Sequence, residues 1–358
     1  MARQIDKRLE KIIENAIASN GTDVVLSAGE PASARINGRL SPIGGNILND
    51  DDILDMLKSF MSDNAFSAFC SNKEYDGAIS VLSRRLRVNA FFQRDTAGCV
   101  LRILENSIPT PEDLSLPQLL INASSLSSGL IAISGPTGSG KTTTLASIVH
   151  KIQKDRAVHI ITIEDPIEYE YPRGYGSIVE QRQVGEDTKS FDIALRGALR
   201  ENPDVILVGE LRDTETMRLA LMAAETGHLV FCTVHTEDAS TVPSRIAGSF
   251  SGDSQNLIRQ QLANSLQLSV AQRLIPRADG NGMVAAFGIL SATPAIRSYI
   301  RDARDEQIHN QVLMSKELGM IDLTYAVGEM VKRGVVTIES AILAVPKEKD
   351  LRTWLSQH

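Results

Sequence analysis

The chain has 358 residues, 42% hydrophobic and 23% charged, with a formal net charge of −7. That length fits two domains, the composition is that of a globular protein with cores to bury, and the acidic balance argues against a dedicated nucleic-acid binder, which carries a basic excess. Its three cysteines, Cys70, Cys99 and Cys232, are far apart and form no C-x-x-C pair, which excludes a four-thiolate zinc site and a disulfide framework.

Each cysteine reads as a small buried apolar residue, in keeping with a reducing cytoplasm. No stretch approaches the roughly 20 apolar residues that span a bilayer. The charged segment from Met1 to Asn15 has no apolar core for a signal peptide. The expectation is a soluble cytoplasmic protein that reaches a membrane only through a partner.

In chain order, Leu9, Ile12, Ile13 and Ile17 mark one face of a helix over Lys7 to Ser19. Asp23 to Leu26 reads as a strand, Gly29 to Pro31 as a turn, and Ala34 to Asn37 as a strand entering a turn at Gly38-Arg39. Leu40 starts the next strand, and Asp51 to Phe60 is a second helix. Gly77 to Leu82, Arg85 to Gln93 and Cys99 to Ile103 alternate like antiparallel strands. Asn106 to Asp113 carries Pro109 and Pro111, and Pro117 follows, so this stretch reads as an extended linker. The predicted division is a small α+β domain over 1–104, a linker over 105–116 and a larger domain over 117–358.

In the larger domain Leu130 to Ser134, His159 to Ile163, Val205 to Val208 and Leu229 to Val234 are continuous apolar or β-branched runs. Such runs suit strands buried on both faces of a parallel sheet. Helical segments over Thr142 to Gln153, Ser190 to Glu201 and Asp213 to Thr226 lie between them, which predicts an α/β core with helices on both faces. From Asp253 onward the tail reads as mostly helical.

Gly135-Pro136-Thr137-Gly138-Ser139-Gly140-Lys141-Thr142 fits G-x-x-x-x-G-K-[ST], between a predicted strand and a predicted helix. Its glycines let backbone N–H groups turn inward, and the helix N-terminus adds positive potential where phosphates sit. Lys141 is expected at the β- and γ-phosphates and the Thr142 hydroxyl on Mg²⁺. Gly135 through Thr142, with Thr143, form the expected phosphate-binding set, with ATP and Mg²⁺ the expected ligands and no zinc.

Hydrolysis needs an acid at the end of a neighbouring strand, where α/β folds hold ligands. Glu210 ends Asp204-Val-Ile-Leu-Val-Gly-Glu210, with Gly209 where an Asp is usual, so it is expected to activate water and to touch Mg²⁺ through water rather than anchor the metal. Glu164 ends another apolar strand before Asp165-Pro166, and Glu164 and Glu168 are candidates for positioning water or Mg²⁺. His228 and His235 flank one strand at an odd separation, a poor pair for one metal, and His235 is placed to sense the γ-phosphate. Arginines cluster before the linker (Arg84, Arg85, Arg87, Arg94, Arg102). Arg196 and Arg200 share a helix face by spacing. Any of these can neutralise phosphate charge across a subunit interface, with Arg87 and Arg102 ranked above Arg84.

Taken in order, the phosphate loop, Ile161 to Glu168, Ala198 to Asp213 and Thr226 to Thr236 resemble the Walker A, Asp box, Walker B and His box of secretion-superfamily ATPases. Asp23 to Gly38 resembles the start of that family's PAS-like N-terminal domain, Arg85 to Ala90 its arginine-bearing strand, and Pro294 to Arg301 the C-terminal motif of PilT-like retraction ATPases. The resemblance implies a PAS-like domain followed by a RecA-like ATPase domain with a helical C-terminal part, assembled as a homohexamer with ATP between subunits. It implies Glu210 as catalytic acid with Glu164 and Lys141 beside it, His228 and His235 sensing nucleotide, and N-domain arginines completing the site. It further implies an inner-membrane pilus platform protein as partner, a second pilus ATPase alongside, and no nucleic acid. The missing four-cysteine zinc element favours the retraction branch. Val25 in place of a common His, and Ser298-Tyr299 in place of Asn-Leu, leave open a divergent pilus system or a type IVB secretion ATPase of the DotB-like kind.

Overall fold

The computed structural model describes residues 4–36, 38–104 and 107–357. Asn37, Asn106, residue 105 at the start of the expected linker, and residues 1–3 lie outside the described set.

Two compact units divide the chain. The first comprises Met1–Ile108 together with Asp165–Tyr171 and Arg182–Ser190, two segments that a linear reading of domain boundaries does not contain. Its elements run α1 (Lys7–Ala18), β1 (Gly21–Ser27), β2 (Pro31–Ile36), β3 (Arg39–Ile47), α2 (Asp50–Phe60), α3 (Asp63–Asn72), β4 (Glu74–Val81), β5 (Arg84–Gln93) and β6 (Thr96–Ile103). The strands form one six-stranded sheet in the order β3-β2-β1-β6-β5-β4, antiparallel at every neighbour. Leu9 and Ile13 of α1, Met56 and Leu57 of α2 and Phe69 of α3 pack in one core with Val24, Leu26, Leu86 and Leu101 of the sheet.

Two features depart from the sequence reading of this unit. Helix α3 was not expected; Ser62 caps it by accepting from the Ala65 amide. Leu82, expected in a strand, sits with Ser83 in a two-residue hairpin turn, both at positive φ (53° and 58°), and Arg94-Asp95 turns the next hairpin the same way (47° and 64°). Neither turn carries the Asn-Gly or Asp-Gly pair that signals this geometry in a sequence.

The second unit, Pro109–Glu164, Pro172–Gln181 and Phe191–His358, holds the phosphate loop. Its elements begin α4 (Gln118–Asn122), β7 (Gly129–Ser134), α5 (Lys141–Asp155), β8 (His159–Glu164), β9 (Ile178–Gln183, whose last two residues cluster with the first unit), α6 (Phe191–Ala198), β10 (Val205–Val208), α7 (Thr214–Glu225) and β11 (Leu229–Val234). They continue α8 (Val242–Gly248), α9 (Asp253–Ser265), β12 (Leu266–Pro276), β13 (Met283–Ser291), α10 (Pro294–Arg301), α11 (Asp305–Met314), α12 (Leu323–Lys332), α13 (Ile338–Ala344) and α14 (Glu348–Gln357). A seven-stranded sheet runs β13-β12-β7-β11-β10-β8-β9. The five strands from β12 to β8 are mutually parallel, and β13 returns antiparallel at one edge.

The four apolar runs are therefore strands of a parallel sheet. Every residue of β7, β10 and β11 is buried, which is why those segments read as continuous apolar runs rather than alternating ones. The helical tail is present, but it contains the long hairpin of β12 and β13, which the sequence reading missed. The predicted helix over Ser190 to Glu201 is shorter, because α6 ends at Ala198. The Arg200 amide there bonds back to the Gly197 carbonyl in a turn, and Asn202, at φ 53°, precedes Pro203.

Candidate nucleotide site

The parallel register sends the C-terminal ends of four adjacent strands to one edge. In spatial order β7, β11, β10 and β8 deliver the phosphate loop, His235, Glu210 and Glu164. Residues spread over a hundred positions of sequence thus meet at the edge where ligands of α/β sheets bind.

The loop between β7 and α5 is built for an anion. Gly135 has φ +148°, and a Cβ there would stand 2.5 Å from the Gln272 carbonyl oxygen and 2.6 Å from Ser139 Oγ, so only glycine fits. Helix α5 starts at Gly140 with no side chain capping its first N–H groups, which leaves a helix N-terminus open toward the loop. Ser139 Oγ is buried and has no hydrogen-bond partner among the described residues, a polar group that a phosphate oxygen would satisfy. Lys141 Nζ donates to the Gly135 and Pro136 carbonyl oxygens, each at 2.9 Å. Burial lowers its pKa, against the pull of Glu210 nearby. The set of open N–H groups, lysine and orphaned hydroxyl fits a nucleotide phosphate chain. Thr142, half-buried on the first turn of α5, is the residue that would present a hydroxyl to Mg²⁺.

Glu210 is partly buried and engaged at both oxygens: Arg212 Nε donates to Oε2 at 2.7 Å and His235 Nε2 lies 3.0 Å from Oε1. The structure therefore joins two residues that sequence reading treated separately, an acid and a histidine from neighbouring strands. Gly209 has a steric explanation. A Cβ at that position would come within 3.1 Å of the Ile163 carbonyl oxygen and 3.4 Å of Glu164 Cα. The Gly209 amide donates to that same Ile163 oxygen, and the Thr233 hydroxyl bonds the Gly209 carbonyl, so this close approach fixes where Glu210 projects.

Glu164 is buried at the end of β8 and accepts from the Thr162 hydroxyl (2.6 Å) and Gln181 Nε2 (3.2 Å). The chain then turns out of the strand through a cis Asp165-Pro166 peptide. Glu168, proposed from sequence beside Glu164, belongs to the other compact unit, where its carboxylate lies 4.0 Å from Arg87.

Other expected site residues lie elsewhere. His228 precedes β11, so it stands at the opposite edge of the sheet, roughly 20 Å of strand from His235, where its Nδ1 is 2.9 Å from the Ala223 carbonyl oxygen and its own carbonyl accepts from Gly129. Within this chain it does not reach the phosphate loop. Arg196 is exposed and paired with Glu215 of α7 at 2.7 Å, and Arg200 lies past the end of α6, so the two do not share a helix face. In the first unit Arg87 and Arg102 are direct cross-strand neighbours on β5 and β6. Arg87 is half-buried and Arg102 exposed; Asp76 (2.8 Å) and, more distantly, Glu168 (4.0 Å) face Arg87, and Asp23 (2.8 Å) faces Arg102, which relieves the repulsion of two guanidinium groups side by side. Arg85 is the more buried, donating to the Ile167 carbonyl and to Glu170.

Two residues of the site escaped the sequence reading because β12 did. Gln272 supplies the carbonyl that backs Gly135 and accepts from the Thr144 hydroxyl at 2.9 Å. Arg273, almost fully buried, donates to the Gln272 and Glu237 carbonyls. Burial holds its pKa below the ordinary guanidinium value, against the pull of Glu237 and Asp238. It lines a cleft of about 450 Å³ together with Gly135, Pro136, His235 and the end of α13. The alternation of Leu266, Leu268 and Val270 with Gln267 and Ser269 was the available signal.

The chain is similar to known proteins over nearly its whole length. The type IV pilus ATPase PilU of Pseudomonas aeruginosa is 37% identical over 97% of this chain and 91% of its own. A crystal structure of the pilus retraction motor PilT with bound ADP superposes with TM-score 0.89 at 40% identity, covering 96% of this chain and 99% of that one. The ATPase DotB of Legionella pneumophila superposes with TM-score 0.84 at 27% identity, covering 96% of each chain. Residues 73–322 match the sequence family described as type II/IV secretion system protein. With an intact phosphate loop and a carboxylate at the neighbouring strand end, the chain is an ATPase that belongs to the type II/IV secretion system protein family.

Proposed function

We propose that this ATPase works as a homohexameric motor that retracts type IV pili. The observation that carries the reading is the convergence of Lys141, His235, Glu210 and Glu164 at one sheet edge, in a chain whose fold is that of a pilus retraction motor over nearly its whole length. Lys141, the open α5 N-terminus and the backbone from Gly135 to Thr143 bind the phosphates of ATP. Glu210 accepts a proton from the attacking water, and His235 ties its orientation to the nucleotide. Glu164, held by Thr162 and Gln181, supports water from the next strand. Thr142 would hold Mg²⁺, which supplies positive charge to the phosphates when bound, with Glu210 touching it through water.

In this reading the domains are 1–104 and 117–358, joined by 105–116. ATP lies between subunits, and Arg87 and Arg102, side by side on the first unit, serve a neighbouring subunit's nucleotide. His228 keeps a sensing role only toward a neighbouring subunit, and Arg196 and Arg200 drop to surface residues. The ring acts from the cytoplasm on an inner-membrane platform protein, with a second pilus ATPase as a further partner. No helix among the described residues is long and apolar enough to cross a membrane.

The test replaces the native gene with Lys141→Ala. Many surface pili with lost motility support retraction. Bald cells place the motor on the extension side. Normal pili with lost export point to the secretion role that DotB-like ATPases would imply.

A further inference from the structure

We propose that Asp238, His309 and Asp322 form a binding site for a divalent transition-metal ion. The three come from separate parts of the second unit. Asp238 precedes the short 3₁₀ turn Ala239–Thr241 beyond β11, His309 lies in α11, and Asp322 opens α12. One ligand atom from each lies within 4.8 Å of the other two.

His309 Nδ1 is 3.7 Å from Asp238 Oδ2 and 3.9 Å from Asp322 Oδ2. Both distances are too long for hydrogen bonds. Ligand atoms about 2.0–2.2 Å from a common zinc ion stand roughly 3.0–3.5 Å apart. A contraction of a few tenths of an ångström would bring each carboxylate to that spacing from His309, and all three ligand atoms already lie within 4.8 Å of one another.

Each carboxylate is already aimed. Asp238 Oδ1 accepts from the Ser240 amide at 2.9 Å, and Asp322 Oδ1 accepts from the Tyr325 amide at 3.0 Å. Each acid uses one oxygen to cap the element it begins and turns the other toward His309, the kind of outer support that orients metal ligands. Two carboxylates and a neutral imidazole carry two negative charges, which a divalent cation balances. A nitrogen among three ligands favours Zn²⁺, Co²⁺ or Ni²⁺ over the all-oxygen sites of Ca²⁺ and Mg²⁺.

The consequence lies near the nucleotide. Asp238 follows Glu237, whose carbonyl accepts from Arg273 in the cleft beside Gly135 and His235. A bound ion would tie the segment after His235 to α11 and α12. This site is distinct from the thiolate zinc site that the cysteines exclude, and its three residues are too scattered in sequence to be found there.

The experiment titrates chelator-treated full-length protein with Zn²⁺ and Co²⁺ in excess Mg²⁺-ADP, which keeps the phosphate loop occupied. The expected result is one ion per chain at micromolar affinity, a Tm rise of about 5 °C at a hundredfold excess over Kd, and visible Co²⁺ absorption. His309→Ala and Asp322→Asn should each weaken binding at least tenfold; the Asn variant keeps the helix cap, so its loss is not a loss of folding. Absence of stoichiometric binding by the wild type overturns the proposal, as does binding that these variants leave unchanged, which would locate the ion elsewhere.

Discussion

Gly135→Ala is the sharpest test of how the phosphate loop is built. The added Cβ would stand 2.5 Å from the Gln272 carbonyl oxygen and 2.6 Å from Ser139 Oγ. The first obstacle is backbone of β12, locked between β7 and β13, so it cannot swing aside as a side chain tip can. Overpacking of this kind costs about 1–3 kcal/mol, and forcing a residue with a Cβ to φ +148° adds about 1–3 kcal/mol. A total near 3 kcal/mol, at roughly 2–4 °C per kcal/mol for a unit of this size, lowers Tm by about 6–12 °C. Nucleotide affinity should fall with it, because the Gly135 carbonyl holds Lys141 Nζ. Gly138→Ala is the control. It shares a positive φ (78°), but nothing lies within 4 Å of the added carbon, so it carries strain alone. Thermal denaturation and binding of a fluorescent nucleotide read both variants. Equal losses in the two, or no loss at Gly135, would refute the claim that β12 backs the loop.

Glu210→Gln keeps the size of the side chain and removes the base we propose; turnover should fall by about 10²–10⁴-fold while ATP still binds, as followed by steady-state hydrolysis and calorimetry. Asp213 caps α7 through the Thr216 amide (2.8 Å) and hydroxyl (2.7 Å). Burial raises its pKa, but these bonds outweigh it and the net shift is downward. A lowered folded pKa stabilises above the ordinary carboxylate pKa and is lost as pH falls below it. Asp213→Ala should therefore lose about 1 kcal/mol at pH 7, with the gap to wild type narrowing below about pH 4, as measured by denaturant titrations across pH. Arg259, almost fully buried, makes two hydrogen bonds to Asp305 (2.8 and 2.7 Å) and one to the Ile300 carbonyl. Arg259→Ala leaves that acid unpaired and should destabilise by about 3–5 kcal/mol; a smaller loss in urea unfolding would mean that α9 and α11 hold together without it.

Much of the site was legible in the sequence because its signals are local. The phosphate loop is contiguous, and the runs ending at Glu164, Glu210 and His235 read as buried parallel strands because both of their faces are covered. An acid or histidine at the end of such a run is aimed at the ligand edge by the strand itself. Sequence also identified α1 from its apolar spacing, and it placed α2. It misread what depends on partners. The hairpin turns at Leu82-Ser83 and Arg94-Asp95 hold left-handed residues without glycine, enforced by the strands they join. The strand β12 was lost in a helical tail, although only its pairing with β7 places Gln272 and Arg273 at the nucleotide edge. The preference for Gly209 comes from the neighbouring strand, which would crowd a Cβ there. His228 and His235 look equivalent in sequence, one before a strand and one after it. Strand direction, fixed by pairing with β7, sends them to opposite edges and leaves His235 alone beside Glu210. Likewise Asp238, His309 and Asp322 are unrelated positions until α11 and α12 fold back against the loop beyond β11. Local chemistry is written along the chain; which groups share a space is decided by which strands and helices pair.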